Sequence, residues 1–320
     1  MSSETENPTE SKPSARKKVV AVIFALLVFA WLGTLLCHPS IRAEGMEERG
    51  EFDQALALYD EATRNPLYNL DPAIYLEKAY CYRQLGQIEN SEAEVKKAEA
   101  AQAKFPFYWS TANLISNRSI EFKIAYEKAL NHLYRQDYKN ALKCYDKALA
   151  ETRDSFAFSG RGKVHEQLGD MKAAESDFKS AMSASQSRYS KETESAYHEM
   201  GSFYARHDRA EESLPFFDKA VRARACPSAY RERGLVQWKL GKLEEALADF
   251  NKSLSLKESP SAYSNRAMFN REQKDFGAAI RDIDKAIAIA PDSQKQKYEG
   301  MKKYIEKEMN DPQLRTDSGF

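Results

Sequence analysis

The sequence predicts an all-α chain, a solenoid of about seven helical hairpins preceded by one transmembrane helix. Three observations carry that expectation. One pattern recurs seven times between residues 36 and 291, with Pro227 and Pro260 opening consecutive copies 33 residues apart. The same columns hold small residues in every copy, and one further column is large and apolar. Ahead of the repeats, Val19 to Leu36 is apolar and carries no charged side chain.

The columns are clearest when Pro227 is counted as offset 1. Offset 8 is Ala43, Ala79, Ala129, Gly162, Gly201, Gly234 and Ala267. Offset 20 is Ala55, Ser91, Ala141, Ala174, Ser213, Ala246 and Ala279, and offset 27 is Ala62, Ala98, Ala148, Ala181, Ala220, Ser253 and Ala286. Small residues there let two antiparallel helices approach closely. Offset 24 is Tyr59, Val95, Tyr145, Phe178, Phe217, Phe250 and Ile283, large enough to fill the space between hairpins. Gly50, Gly86, Gly169 and Gly241 at offset 15 mark the turn, because glycine accepts the left-handed conformation that closes a helix. The second helix then restarts at offset 17, with Tyr, Phe, Leu or Ile in five of the seven copies, and keeps amphipathic spacing. Each hairpin leaves an apolar face that only a neighbouring hairpin can bury.

These columns resemble the tetratricopeptide repeat, a helix–turn–helix unit of about 34 residues with small residues at offsets 8, 20 and 27. The copies fall at about 36–66, 72–101, 122–154, 155–187, 194–226, 227–259 and 260–291. Offset 4 departs from the usual Trp, with Tyr75, Ala125, Phe158, Tyr197, Tyr230 and Tyr263, and Pro39 stands there in the first copy. Between copies two and three lies an insertion, 102–121. Its Phe105, Phe107, Tyr108 and Trp109 either fold onto the solenoid or form an exposed docking patch. A second, shorter insertion, 183–191, precedes copy five. Residues 292–309 read as a polar capping helix, followed by a tail, 310–320.

Residues 1–18 are polar and end in Arg16, Lys17 and Lys18, a composition expected to be disordered. The apolar segment 19–36 would extend about 27 Å as a helix, against about 30 Å of hydrocarbon core. It is expected to be a signal anchor. A cleaved signal peptide, leaving a secreted repeat protein, is the alternative. Basic residues are more numerous on its N-terminal flank than beyond it, which directs the repeats to the non-cytoplasmic side, periplasmic or outer.

Charged residues make up 30% of the chain and its formal net charge is zero, which argues against a nucleic-acid surface. None of the four cysteines forms a CxxC pair. No HExxH or GxSxG motif occurs, and Gly160-Arg161-Gly162-Lys163 lacks the spacing of a phosphate loop. His132 and His165 share offset 11, a packing position, and two histidines without a third ligand make a weak metal site. Catalytic residues, a metal and a cofactor are therefore not expected. Asn117-Arg118-Ser119 and Asn251-Lys252-Ser253 match the glycosylation triplet.

The resemblance implies a right-handed superhelix whose first helices line a concave groove with offsets 2, 5, 6, 9, 12 and 13. Copy six contributes Arg231, Leu235 and Trp238, beside Ser228, Glu232 and Lys239. Copy seven contributes Asn265, Met268 and Arg271; copy five Glu199 and Ser202, beside His198, Ala205 and Arg206; copy four Lys163, beside Glu166. Trp238 either anchors a partner or packs between copies six and seven. This mixture of aromatic, arginine and amide groups suits a peptide or a partner helix. The expected function is a non-catalytic, membrane-tethered adaptor for another protein. The alternative is a solenoid that self-associates at the membrane.

Overall fold

The computed structural model describes residues 39–65, 69–104, 118–185 and 190–311. Among them there are fifteen α-helices and no strand. The apolar segment 19–36 and the patch residues Phe105, Phe107, Tyr108 and Trp109 lie outside the described residues. No helix among those described is long and apolar enough to cross a membrane. The chain divides into two compact units, Met1–Arg135 and Gln136–Phe320, taken separately below.

The first unit holds α1 (Pro39–Arg49), α2 (Phe52–Arg64), α3 (Pro72–Gln84), α4 (Ile88–Lys104) and α5 (Ile120–Tyr134). The second holds α6 (Tyr138–Glu151), α7 (Ser155–Gln167), α8 (Met171–Ala184), α9 (Lys191–Arg206), α10 (Ala210–Ala223), α11 (Pro227–Lys239), α12 (Leu243–Leu256), α13 (Pro260–Glu272), α14 (Phe276–Ile289) and α15 (Asp292–Asn310). The boundary falls inside the third copy.

Local chemistry starts many of the helices. The side chains of Asp71, Ser119, Asp154, Ser190 and Ser259 accept from the backbone N–H groups of Ala73, Phe122, Ala157, Thr193 and Ala262, satisfying donors that a helix start leaves open. Ser190 makes α9 begin three residues before the repeat frame does. Pro72, Pro227 and Pro260 take the first helical position, where a missing N–H costs nothing. Helix α4 runs to Lys104, so the 102–121 insertion opens with helix rather than loop.

Every turn at offset 15 adopts positive φ. Gly50, Gly86, Gly169 and Gly241 lie between 74° and 82°. Gln136, Asp208 and Lys274 hold the same place at 59°, 60° and 62°, a conformation that costs an L-residue roughly 1–2 kcal/mol. Paired bonds close the turn: Lys274 N–H donates to Arg271 O and Asp275 N–H to Asn270 O, matching Gly241 to Trp238 and Lys242 to Gln237.

The hairpins close on the small columns. A Cβ on Gly162, Gly201 or Gly234 would stand 3.1, 3.2 or 2.9 Å from the ring of Phe178, Phe217 or Phe250. Where offset 8 is Ala79 or Ala267, offset 24 shrinks to Val95 or Ile283. Copies one and three are exceptions, keeping alanine at offset 8 with Tyr59 and Tyr145 at offset 24, and the Tyr59 hydroxyl donates to Glu47 at 2.7 Å. The offset-24 side chains named here are buried to 2% exposure or less. At the end of the second unit, Tyr298 and Ile305 of α15 bury against Ile283 and Ala286 of α14.

A second column runs between hairpins and was not read from the sequence. Arginine at offset 7 of the first helix grips a carboxylate at offset 23 of its own hairpin. It also reaches an oxygen at offset 25 of the preceding one. Arg233 donates to both oxygens of Asp249 at 2.7 and 2.8 Å and to Asp218 at 2.8 Å. Arg161 does so with Asp177 and Asp146, and Arg266 with Asp282 and Asn251. In the first unit Lys78 takes the place, 2.7 Å from Asp60 and 3.4 Å from Glu94. Each of the three guanidinium groups also covers the aromatic ring at offset 4, Phe158, Tyr230 or Tyr263.

Two predictions follow from this packing. Gly234→Ala should destabilise by about 1–3 kcal/mol through overpacking, and Phe250→Ile should recover part of that loss, a coupling of about 1 kcal/mol or more in a double-mutant cycle by urea unfolding. Additive effects would show that the two columns are independent. Lys274→Gly should raise stability by about 0.5–1 kcal/mol by removing a side chain from a left-handed position, read as a higher denaturation midpoint.

Candidate functional site

Within the second unit, α7, α9 and α11 line a cavity of about 480 Å³, with Ala210 of α10 at its edge. Helix α7 supplies Lys163; α9 supplies His198, Glu199, Ser202, Ala205 and Arg206; α11 supplies Glu232, Leu235, Val236 and Lys239. Most of these come from one face of each helix because residues three and four apart are neighbours there. Ala205, Ala210, Leu235 and Val236 are its apolar side chains, and they also pack toward the interior around Phe217 and Phe250.

The charged groups follow an order. Lys163 Nζ is 2.5 Å from Glu199 Oε1. Arg206 donates to both oxygens of Glu166, at 2.9 and 2.7 Å, and His207 Nε2 lies 3.1 Å from the same carboxylate. In both pairs the cation is the outer partner: Lys163 is 43% exposed over Glu199 at 16%, and Arg206 47% over Glu166 at 8%. Lys239 reverses this, since it pairs with Asp208, which is 90% exposed. Burial raises the Glu166 carboxyl, but the hydrogen bond from Arg206 and the charges of Arg206 and His207 outweigh it and hold the group below its ordinary range. The same bond raises Arg206. His198 Nε2 is buried and has no hydrogen-bond partner among the described residues, while its ring meets Phe217 edge-on.

Of the groove candidates, the cavity collects Lys163, Glu199, Ser202 and Leu235. The remaining five stand elsewhere. Trp238 packs edge-on against Phe250 and Phe269, at centroid distances of 6.5 and 5.6 Å, so its ring joins copies six and seven. Arg231 donates to Glu232 at 2.6 Å and to Ser261 at 3.1 Å. Arg271 faces the capping helix, 3.5 Å from Glu308 and over the Tyr304 ring. Asn265 and Met268 are half-buried on α13. Val236 and Ala210 belong to the cavity although the groove offsets do not include them.

Other motifs resolve into packing. Gly160 and Gly162 lie inside α7, and a Cβ on Gly160 would fall 2.4 Å from the Tyr145 side chain. Arg161 between them is committed to Asp177 and Asp146. In the triplet Asn251-Lys252-Ser253, the exposed Asn251 accepts from Arg266 through Oδ1, and Ser253 is buried, donating to Pro227 O. Asn117 lies outside the described residues, and Ser119 caps α5. Cys81 is buried with Glu47 3.3 Å from its sulfur, and burial raises its thiol above the ordinary range. Among the described residues, no three His, Cys, Asp or Glu side chains gather as metal ligands would.

The family model of the tetratricopeptide repeat matches residues 47–106, 126–188, 199–262 and 233–294. No curated protein matches the chain. Among solved structures, a chain of the APC/C hetero-tetramer Cut9–Hcn1 is similar with a TM-score of 0.58 at 15% identity; the match covers 84% of this chain but only 48% of that one. A tetratricopeptide repeat protein from Parabacteroides merdae ATCC 43184 gives 0.52 at 18% identity, covering 84% of this chain and 97% of its own. Pseudomonas aeruginosa pilF gives 0.52 at 15%, covering 76% and 99%. At these identities the likeness is one of fold.

The Glu166 cluster has a definite pH signature. A carboxyl depressed in the folded state contributes stability that is present above its unfolded value and lost as pH falls through the folded one. Glu166→Gln should therefore lower stability at pH 7 and remove part of the decline that begins as pH falls below about 4.5, as measured by urea unfolding across that range. An unchanged acid limb would separate the cluster from stability.

Proposed function

The chain belongs to the tetratricopeptide repeat family, and from that premise we propose that it is a non-catalytic scaffold that holds a segment of another protein in the α7–α9–α11 cavity. The observation that carries this reading is the cavity itself. Ala205, Leu235 and Val236 offer apolar surface there, Ser202 and His198 are polar groups beside it, and salt bridges rim it. That is the composition of a peptide site: an apolar part that takes up side chains, with a few polar groups to fix their direction.

In the same proposal residues 19–36 tether the scaffold to a membrane, with the repeats on the non-cytoplasmic side. The support is their length, their lack of charge and the basic residues before them. A tether raises the local concentration of whatever the repeats hold, without adding a contact to the bound segment.

The test is co-purification of full-length protein in mild detergent beside Ala205→Gln. This substitution fills the cavity with a neutral side chain of good helix propensity. A partner held by the parent and lost by the variant supports the groove, and the compartment of that partner decides the side of the membrane. A partner retained by Ala205→Gln overturns the groove reading. Capture of further copies of the same chain alone would move the protein to a self-assembling solenoid.

A further inference from the structure

This inference deepens the groove reading and rests on it. The cavity does not present its charges evenly. Glu199 and Glu166 lie beneath Lys163 and Arg206, so a segment approaching from solvent meets the cations first. Lys239 adds a third. Its partner Asp208 is almost fully exposed at a hairpin turn, where water competes for the carboxylate and an ion pair is worth little, so Lys239 is free to exchange partners. Glu232, the other acid of the lining, is already engaged by Arg231. Leu235, Val236 and Ala205 line the same cavity.

We propose that this groove recognises an acidic segment of another protein that carries an apolar side chain. The acidic groups would meet Lys163, Arg206 and Lys239, and the apolar side chain would occupy the space over Leu235 and Val236. The buried carboxylates hold the cations in place, so an acidic ligand meets groups already positioned. A basic ligand would have to displace Lys163 and Arg206 before reaching Glu199 and Glu166.

The probe is a set of fluorescent nonapeptides with blocked termini, so that no terminal carboxylate contributes. One alternates Glu with neutral residues around a central Leu. A second carries Lys for each Glu, and a third carries Ser for the Leu. Anisotropy titration of the full-length protein should give the acidic Leu peptide about tenfold or more higher affinity than either, with a marked loss between low and high salt. Lys163→Gln with Lys239→Gln should lower that affinity about tenfold. Lys239→Gln alone, whose partner is solvent-exposed and whose fold is not at risk, should lower it measurably, and Lys252→Gln on α12 should not change it.

Equal binding of acidic and basic peptides, or unchanged binding by the lysine variants, would overturn the proposal. If Ala205→Gln still abolished capture of the cellular partner while no acidic peptide bound, the groove reading would stand and its acidic specificity would fall. If neither responded, both would fall.

Discussion

A Cβ on Gly234 would stand 2.9 Å from the Phe250 ring, and the same near-contact recurs at Gly162 with Phe178 and Gly201 with Phe217. This approach sets the separation of two helices, and other features of those hairpins depend on it. Where the second residue is smaller, as at Val95 and Ile283, alanine replaces glycine, although Tyr59 and Tyr145 show that a large second residue does not require glycine. Interiors packed to crystal-like density tolerate such exchanges within a pair better than changes to one member. A fixed separation also places the carboxylate of Asp249 where the Arg233 fork can take both its oxygens, because a bidentate bond tolerates little displacement.

The arginine column makes a different contribution. Removing two charges from water is costly, and a buried pair is often no more stable than an apolar replacement of similar volume. Copy five is such a replacement within the same chain: Met200 and Phe216 stand where Arg and Asp stand in its neighbours, and Met200 is fully buried. The column is therefore not required for a hairpin to fold. Its use lies in register. Arg233 reaches forward to Asp249 and back to Asp218, and Arg266 reaches Asp282 and Asn251, so each fork ties one hairpin to the one before it at a single rotation. Apolar contact between hairpins is less directional and would leave that rotation less defined.

The hairpins were legible in the sequence because their constraint is local and repeated. A column that must be small in every copy stands out after two copies are aligned, and glycine at offset 15 announces a left-handed turn. Gln136, Asp208 and Lys274 do not, since nothing in those residue types demands positive φ; only the frame could have assigned it. The arginine column was present at fixed offsets, but charged residues crowd helix surfaces and a salt bridge between hairpins looks the same as solvated charge until the hairpins are stacked. The groove was half legible for a related reason. Offsets select a face of each helix, which brought Lys163, Glu199, Ser202 and Leu235 together. They do not say which face residues a neighbour covers: Trp238 is drawn to Phe250 and Phe269, and Arg271 is taken by the capping helix.

The same covering bears on how one face of the second unit could combine stability with the recognition proposed for it. A charge buried in a binding surface is costly unless it is paired, and a pair that satisfies both members has little left for a ligand. The structure separates these demands by depth. Glu166 receives Arg206 twice and His207 once, so its cost of burial is offset inside the protein, while the outer edge of Arg206 keeps solvent contact and retains donors. Lys163 over Glu199 repeats the arrangement between the same two helices, with the cation on α7 and the carboxylate on α9. In these two pairs the carboxylate is the inner member and the cation meets solvent. Neutral overall composition is thus compatible with a surface of definite sign, because net charge counts groups without regard to which of them water reaches.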